Sequence, residues 1–323
     1  VSRSTSKLRK YYEQAYRDLS RVELQRGMRP LDALDLSELF DYDADLWLGF
    51  YTEEGLMAGL KRYGVFEDLR SRGFEQVRIT LNLEDPEEQM LRLWSEVPKL
   101  DEPVLELVAS RSVLHFREEF MDTSTPPFAP MLNIHWLLMQ NPQASFGPGR
   151  LPLPGQTHPG TGLGEQVMGL LRNSCRRLKL GGLVTVPAHF HNAMMYAGTY
   201  HYIDPNAEGA LLALHRDLFG GKSPFDNPSQ LVAASWAFYW KMIVDQARAP
   251  EKPYEWFHEA MVCPISPEMC AYFKSPQYLA EVAAARDAHA FKIFDKPLRR
   301  NLARCGLIPW DQERAQEWLA SLG

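Results

Sequence analysis

Three glycines at alternate positions stand in the run His158-Pro159-Gly160-Thr161-Gly162-Leu163-Gly164, and an apolar-periodic segment follows them to Leu178. Glycine lets a backbone come close to a ligand, and a helix starting directly behind it adds unpaired N–H groups and partial positive charge. The chemistry this spacing offers is the binding of phosphate. Imidazoles form a second group: His189 and His191 fall on one side of an extended chain, with His201 ten residues beyond His191 and His158 beside the glycines. Neutral imidazole is a transition-metal ligand, so a metal-dependent enzyme using His189 and His191 is one reading of the chain. No carboxylate stands at a recognisable ligand spacing beside them. Cys175, Cys263, Cys270 and Cys305 lack the C-x-x-C spacing of zinc and redox sites and read as reduced thiols, Cys175 at a core position of the helix behind the glycines.

Composition narrows the function classes. The chain has 323 residues, 45% of them apolar, enough for one large domain or two smaller ones. Its formal charge is −6, and its 35 basic residues are spread without a basic stripe, which argues against nucleic acid as a partner. The longest apolar runs fall far short of the roughly 20 residues of a membrane-spanning helix. Val1 to Lys10 is polar and basic without an apolar core, so no secretory signal is visible and a cytoplasmic location is expected.

The elements that must position these residues follow from periodicity. Ser4 to Glu23 reads as an amphipathic helix, Leu36 to Phe50 and Glu54 to Arg70 as further helices, and Arg72-Gly73 as a C-cap. Val77 to Leu83 alternates as a half-buried strand. Asp85 as cap, Pro86 at the first helical position and Glu87 and Glu88 in the first turn then predict a helix reaching Trp94. Val104 to Val108 and Ser112 to Phe116 fit two strands or one long bent strand. Met131 to Gln140 reads as a strand, although periodicity alone also fits a short buried helix. Asn141 to Gly155 is a Pro- and Gly-rich loop. After the glycines come a helix from Gly164 to Leu178, a turn at Gly181-Gly182 and a strand from Leu183 to Val186, a βαβ-like segment with phosphate chemistry at its turn. Ala233 to Ala247, Tyr254 to Met261, Tyr278 to Ala288 and Gln312 to Leu322 read as helical.

Pro159 to Gly164, a helix of about 15 residues, a strand, and then His189-Phe190-His191-Asn192-Ala193-Met194-Met195-Tyr196 followed by Tyr200-His201-Tyr202 resemble the acyl-CoA-binding half of the GCN5-related N-acetyltransferase (GNAT) superfamily. The likeness covers residues 75–205, and only the last 45 of these carry its specific part. It implies an α/β (α+β) fold: a central mixed, largely antiparallel sheet with flanking helices. Residues 1–74 would form a helical N-terminal extension, 75–205 the acyl-CoA-binding core, and 206–323 a mainly helical C-terminal region packed on it. The resemblance also implies that Gly160, Thr161, Gly162, Leu163 and Gly164 cradle the pyrophosphate of acetyl-CoA or another acyl-CoA, with Gly162 and Gly164 matching the family's two loop glycines. The family's Arg or Gln falls at Pro159, which has no donor, so that contact is lost or supplied from elsewhere. The family's strand runs almost directly into its loop, whereas about 18 residues, Asn141 to His158, intervene here.

The expected activity is acyl transfer to a small-molecule or peptidyl amine. An attacking amine must lose its proton, and the departing thiolate benefits from a donor. Tyr196 matches the family's tyrosine near the thiol and is the expected donor. His135, on the strand expected to polarise the carbonyl oxygen, is a candidate base, with Glu118, Glu119 and His158 as alternatives. A catalytically inactive acyl-CoA-binding or interaction protein is the rival reading, favoured by Pro159. The large C-terminal region would then serve as a lid, a substrate wall or a homo-oligomer surface.

Overall fold

Along Gln89 to Val97, residues 89, 91, 93 and 95 are buried while Met90, Arg92 and Trp94 are not fully so, a period of two that only a strand produces. The helix expected from Asp85 to Trp94 is therefore corrected. Asp85 Oδ1 accepts from the Glu87 amide at 2.8 Å, and the Asp85 carbonyl accepts from the Glu88 amide at 3.1 Å. These bonds close a turn, with Pro86 inside it, between two antiparallel strands, β1 (Glu75–Asn82) and β2 (Gln89–Val97).

The computed structural model describes residues 45–121, 127–147, 150–220 and 228–307. The helices expected at Ser4 to Glu23 and Gln312 to Leu322, and most of Leu36 to Phe50, lie outside the described residues. The fold is mixed α/β, with a largely antiparallel sheet flanked by helices, as the sequence pattern predicts. The chain divides into two compact units. One comprises residues up to Leu114 with Phe128–Gln143 and Gly160–Val184; the other comprises His115–Pro127, Ala144–Pro159 and the residues from Thr185 onward. Residues 75–205 contribute to both.

In the first unit, α1 (Glu53–Arg62) and α2 (Val65–Ser71) replace the single helix expected from Glu54 to Arg70, because Gly64, at φ +75°, breaks it. Thr52 Oγ1 accepts from the Gly55 amide at 3.0 Å and caps α1. The expected C-cap at Arg72-Gly73 is present, with Gly73 at φ +89° and its amide donating to the Arg70 carbonyl. Strands β1, β2, β3 (Leu105–His115), β4 (Phe128–Met139) and β5 (Gly182–Thr185) follow one another in that order across the sheet. β3 is one continuous strand of 11 residues, resolving the alternative of two short strands. α3 (Gly164–Arg177) buries Val167, Leu171 and Cys175 on one stripe.

The second unit holds α4 (Phe190–Tyr196), β6 (His201–Tyr202), α5 (Pro205–Phe219), α6 (Pro228–Tyr239), β7 (Ile243–Asp245), β8 (Ala249–Pro253), β9 (Met261–Pro264), α7 (Pro267–Tyr272), α8 (Pro276–Asp287), β10 (Phe291–Ile293) and α9 (Asp295–Arg304). β6 pairs antiparallel with β9, and β10, β7 and β8 form a small sheet in that order. The helix expected over Ala233 to Ala247 ends at Tyr239 and gives way to β7. That expected over Tyr254 to Met261 is absent: Trp256 and Phe257, both half-buried, stack with centroids 4.7 Å apart in irregular chain. Gly209 lets α5 approach α8 closely. A Cβ there would stand 2.5 Å from the Ala285 Cβ and 2.7 Å from the Val282 carbonyl oxygen and the Arg286 amide nitrogen, all on α8. Gly209→Ala is expected to lower stability by about 2 kcal/mol despite alanine's better helix propensity, because backbone atoms cannot rotate away. Thermal denaturation checks this, and an unchanged or raised Tm would contradict the close approach.

Candidate functional site

The chain leaves the end of β4, passes through the second unit over residues 144–159, and returns to the first unit at Gly160. Gln140 and Gly160 form an antiparallel bridge at the base of this excursion. The residues between β4 and the glycines thus leave and rejoin the first unit, and in space the strand end adjoins the loop. Gln140 is anchored in turn, donating from Nε2 to Glu102 Oε2 at 2.9 Å, while its amide donates to the Val104 carbonyl at 3.1 Å. A Cβ at Gly160 would lie 3.4 Å from the Met139 carbonyl oxygen, an ordinary van der Waals contact.

Gly162 is exposed at φ +77°, a left-handed conformation that glycine adopts without strain. Thr161 is buried and its Oγ1 accepts from the Leu163 amide at 3.4 Å, fixing the turn. Leu163 itself is buried at 1% exposure and anchors the loop. No side-chain hydrogen bond caps the N-terminus of α3, a helix of 14 residues. Glu165 is the acidic residue of that turn and is exposed.

Arg72, just beyond α2, supplies the charge. Its Nη2 lies 3.7 Å from where a Cβ at Gly162 would stand. Its Nη1 donates to the Asp68 carbonyl at 2.6 Å and lies 3.6 Å from the Asp68 carboxylate. Asp68 Oδ2 also accepts from the Gln166 side chain in the first turn of α3. This Gln166–Asp68–Arg72 chain ties the cation to the helix carrying the loop. Sequence spacing gave no hint of it, since Arg72 precedes Gly162 by 90 residues and reads as part of a helix C-cap.

His135 lies on β4, four residues before Met139, or about 13 Å along the strand. Its imidazole is exposed, and its Nε2 is 2.8 Å from the hydroxyl of Ser110 on β3, which is 4% exposed. Either group can donate in this bond, depending on the imidazole tautomer. Ser110 is a second residue that sequence reading missed.

Tyr196 belongs to the second unit, at the end of α4, half-buried with its ring 5.0 Å from that of Tyr200. Burial pushes its phenol up, so it is protonated at neutral pH. The structure thus brings the glycine loop, Arg72 and His135 into one unit and places Tyr196 in the other. Glu118 and Glu119 form a short 3-10 turn in the second unit, where Glu119 accepts from Arg117 at 2.6 Å.

The histidines do not form the expected alternative. His189 and His191 stack face to face, centroids 5.2 Å apart and 15° from parallel, so their in-plane lone pairs do not converge on one point. Among the described residues no group of three His, Cys, Asp or Glu side chains is arranged to hold a metal. Gly155, at φ +83°, admits this pair: a Cβ there would meet His189 Nε2 at 3.0 Å. The four cysteines are free thiols, with Cys175 and Cys263 buried. No described helix is long and apolar enough to cross a membrane. Comparison of the chain with models of known protein families and with curated proteins finds no match.

Proposed function

We propose that the protein is an acyl-CoA-dependent acyltransferase of the N-acyltransferase type, acting on an amine acceptor. The observation that carries this reading is the glycine loop at the uncapped N-terminus of α3, with the Arg72 guanidinium beside Gly162 and the end of β4 bridged to Gly160. A diphosphate is the ligand such a loop suits, because backbone N–H groups and one guanidinium together match its charge and acceptor count. Arg72 takes the part that the family gives to the residue at Pro159.

Acyl-CoA supplies an activated thioester. Gly162 and Gly164 would hold its pyrophosphate, and β4 leads from the loop to His135 over a length suited to the extended arm between pyrophosphate and thioester. His135, oriented by Ser110, would take the proton from the acceptor amine as its nitrogen bonds to the acyl carbon. The C–S bond breaks, and the departing thiolate takes up a proton from water.

Calorimetric titration with acetyl-CoA tests the binding step. Wild type should bind, and Arg72→Ala should bind about 10-fold more weakly, the worth of one charge-assisted contact. His135→Ala should retain affinity and lose about 100-fold in turnover with an accepted amine. No binding of short or long acyl-CoA at millimolar concentration would remove the reading. Binding without turnover on any amine would favour the inactive acyl-CoA-binding alternative.

A further inference from the structure

The second unit carries an aromatic platform at the end of α6. The Lys241 amide donates to the Phe238 carbonyl at 3.0 Å and the Met242 amide to the Ala237 carbonyl at 2.8 Å, with Lys241 at φ +54°. This paired closure around a left-handed residue satisfies the last carbonyls of the helix and fixes its final turn. Ala237 and Phe238 are buried on the inner side of that turn. Its outer side presents Trp236, Tyr239 and Trp240, whose spacing of three and four residues puts them on one stripe. The Trp236 ring centroid lies 5.3 Å from that of Tyr239 and 5.0 Å from that of Trp240. Tyr239 is 61% exposed, and both tryptophans are half-buried.

The chain already seats a proline segment on one of these rings. Pro152 lies in the run Leu151-Pro152-Leu153-Pro154, and its carbonyl accepts from the Trp236 indole N–H at 2.9 Å. Proline fixes its own φ and pushes the residue before it to extended or polyproline II backbone, which has no internal hydrogen bonds and leaves its carbonyls open to outside donors. An indole N–H on such a carbonyl, beside exposed aromatic faces, is the chemistry by which aromatic-lined surfaces read proline-rich chains. Trp240 repeats the donor one turn on. Its indole N–H has no hydrogen-bond partner among the described residues and is not sealed from solvent.

We infer that Tyr239 and Trp240 form a docking surface for a proline-rich peptide in polyproline II conformation. The peptide lies beside the chain's own Pro152 segment, with one of its carbonyls on the Trp240 indole N–H and a proline ring on the Tyr239 face. A ligand preordered in this way loses little conformational freedom on binding, which suits a small surface of three rings. The surface is independent of the acyl-CoA reading.

The test follows the Trp240 indole resonance by 15N NMR, identified by its loss in Trp240→Phe, during titration of the full chain with decaproline. A Gly-Ser peptide of equal length and cellopentaose are the controls. Decaproline should move the Trp240 signal downfield saturably. The Trp236 signal, identified by its loss in Trp236→Phe, should move less, because Pro152 already holds its N–H. Tyr239→Ala, at an exposed position that the fold should tolerate, should weaken decaproline binding about 5-fold, the worth of one aromatic contact. No saturable shift at millimolar decaproline overturns the inference, as does an equal response to the Gly-Ser peptide, a larger shift at Trp236 than at Trp240, or an affinity that Tyr239→Ala leaves unchanged. A response to cellopentaose alone would assign the platform to carbohydrate and overturn it as well.

Discussion

Gly162→Glu should reduce CoA affinity by at least about 100-fold, or roughly 3 kcal/mol. Two effects combine. The new carboxylate would stand beside Arg72 and pair with the cation proposed for the pyrophosphate, and its negative charge would repel the ligand. The substitution also places a Cβ at φ +77°, which costs about 1 kcal/mol of stability. Gly162→Ala carries the same strain without the charge and separates the two. If Gly162→Ala binds CoA within a few-fold of wild type while Gly162→Glu does not, charge at the loop is the cause. Equal losses in both would assign the effect to loop geometry, and full affinity in both would place CoA elsewhere. Calorimetry on variants shown to be folded distinguishes these outcomes.

Acid should destabilise the protein through His191. This imidazole is 4% exposed, its Nδ1 is buried without a hydrogen-bond partner, and burial together with neighbouring His189 lowers its pKa to about 3. The unfolded chain takes up its proton near pH 6.5, so between pH 6.5 and 3 the unfolded state binds more protons and stability falls as pH falls. The loss is about 2 kcal/mol at pH 5 and about 4 kcal/mol at pH 3, approaching about 5 kcal/mol below that. His189 adds in the same direction, its pKa lowered by burial and by His258. Against a typical total of roughly 5–15 kcal/mol this is a large fraction. Denaturant titrations at pH 7 and pH 5 should show the loss, and His191→Gln should reduce that difference. A stability independent of pH over this range would contradict the buried neutral imidazole.

Much of the first unit was legible in sequence because its elements carry strong periodicity. β4, α3 and the strand after it fall within a few residues of expectation. The turn at Asp85-Pro86-Glu87-Glu88 misled because its residue types also open helices: Asp caps, Pro suits the first position, and acids favour the helix N-terminus. The alternation of Gln89, Leu91, Leu93 and Ser95 was the better signal, since tertiary burial rather than local propensity decided the strand. Tyr254 to Met261 misled for a related reason, as aromatic content marks core packing in any backbone conformation.

The candidate site was half legible. Gly162 announces itself because an exposed residue in the left-handed region favours glycine. Arg72, Asp68 and Ser110 do not, because tertiary packing alone brings α2 and β3 to the residues they serve. The excursion over residues 144–159 separates in sequence what the bridge between Gln140 and Gly160 joins in space. The histidine pair erred in the opposite direction: its spacing suggested a metal, but stacked rings do not aim their nitrogens at a common point.

The most direct measurement is amide NMR of the loop during a CoA titration. Binding at the loop predicts saturable shifts of the Gly160, Gly162 and Gly164 N–H resonances together with the Arg72 side-chain signal, and pantetheine lacking the pyrophosphate should leave the three glycine amides unmoved. CoA binding that leaves those amides in place, or no CoA binding in folded protein, would contradict the assignment of the loop.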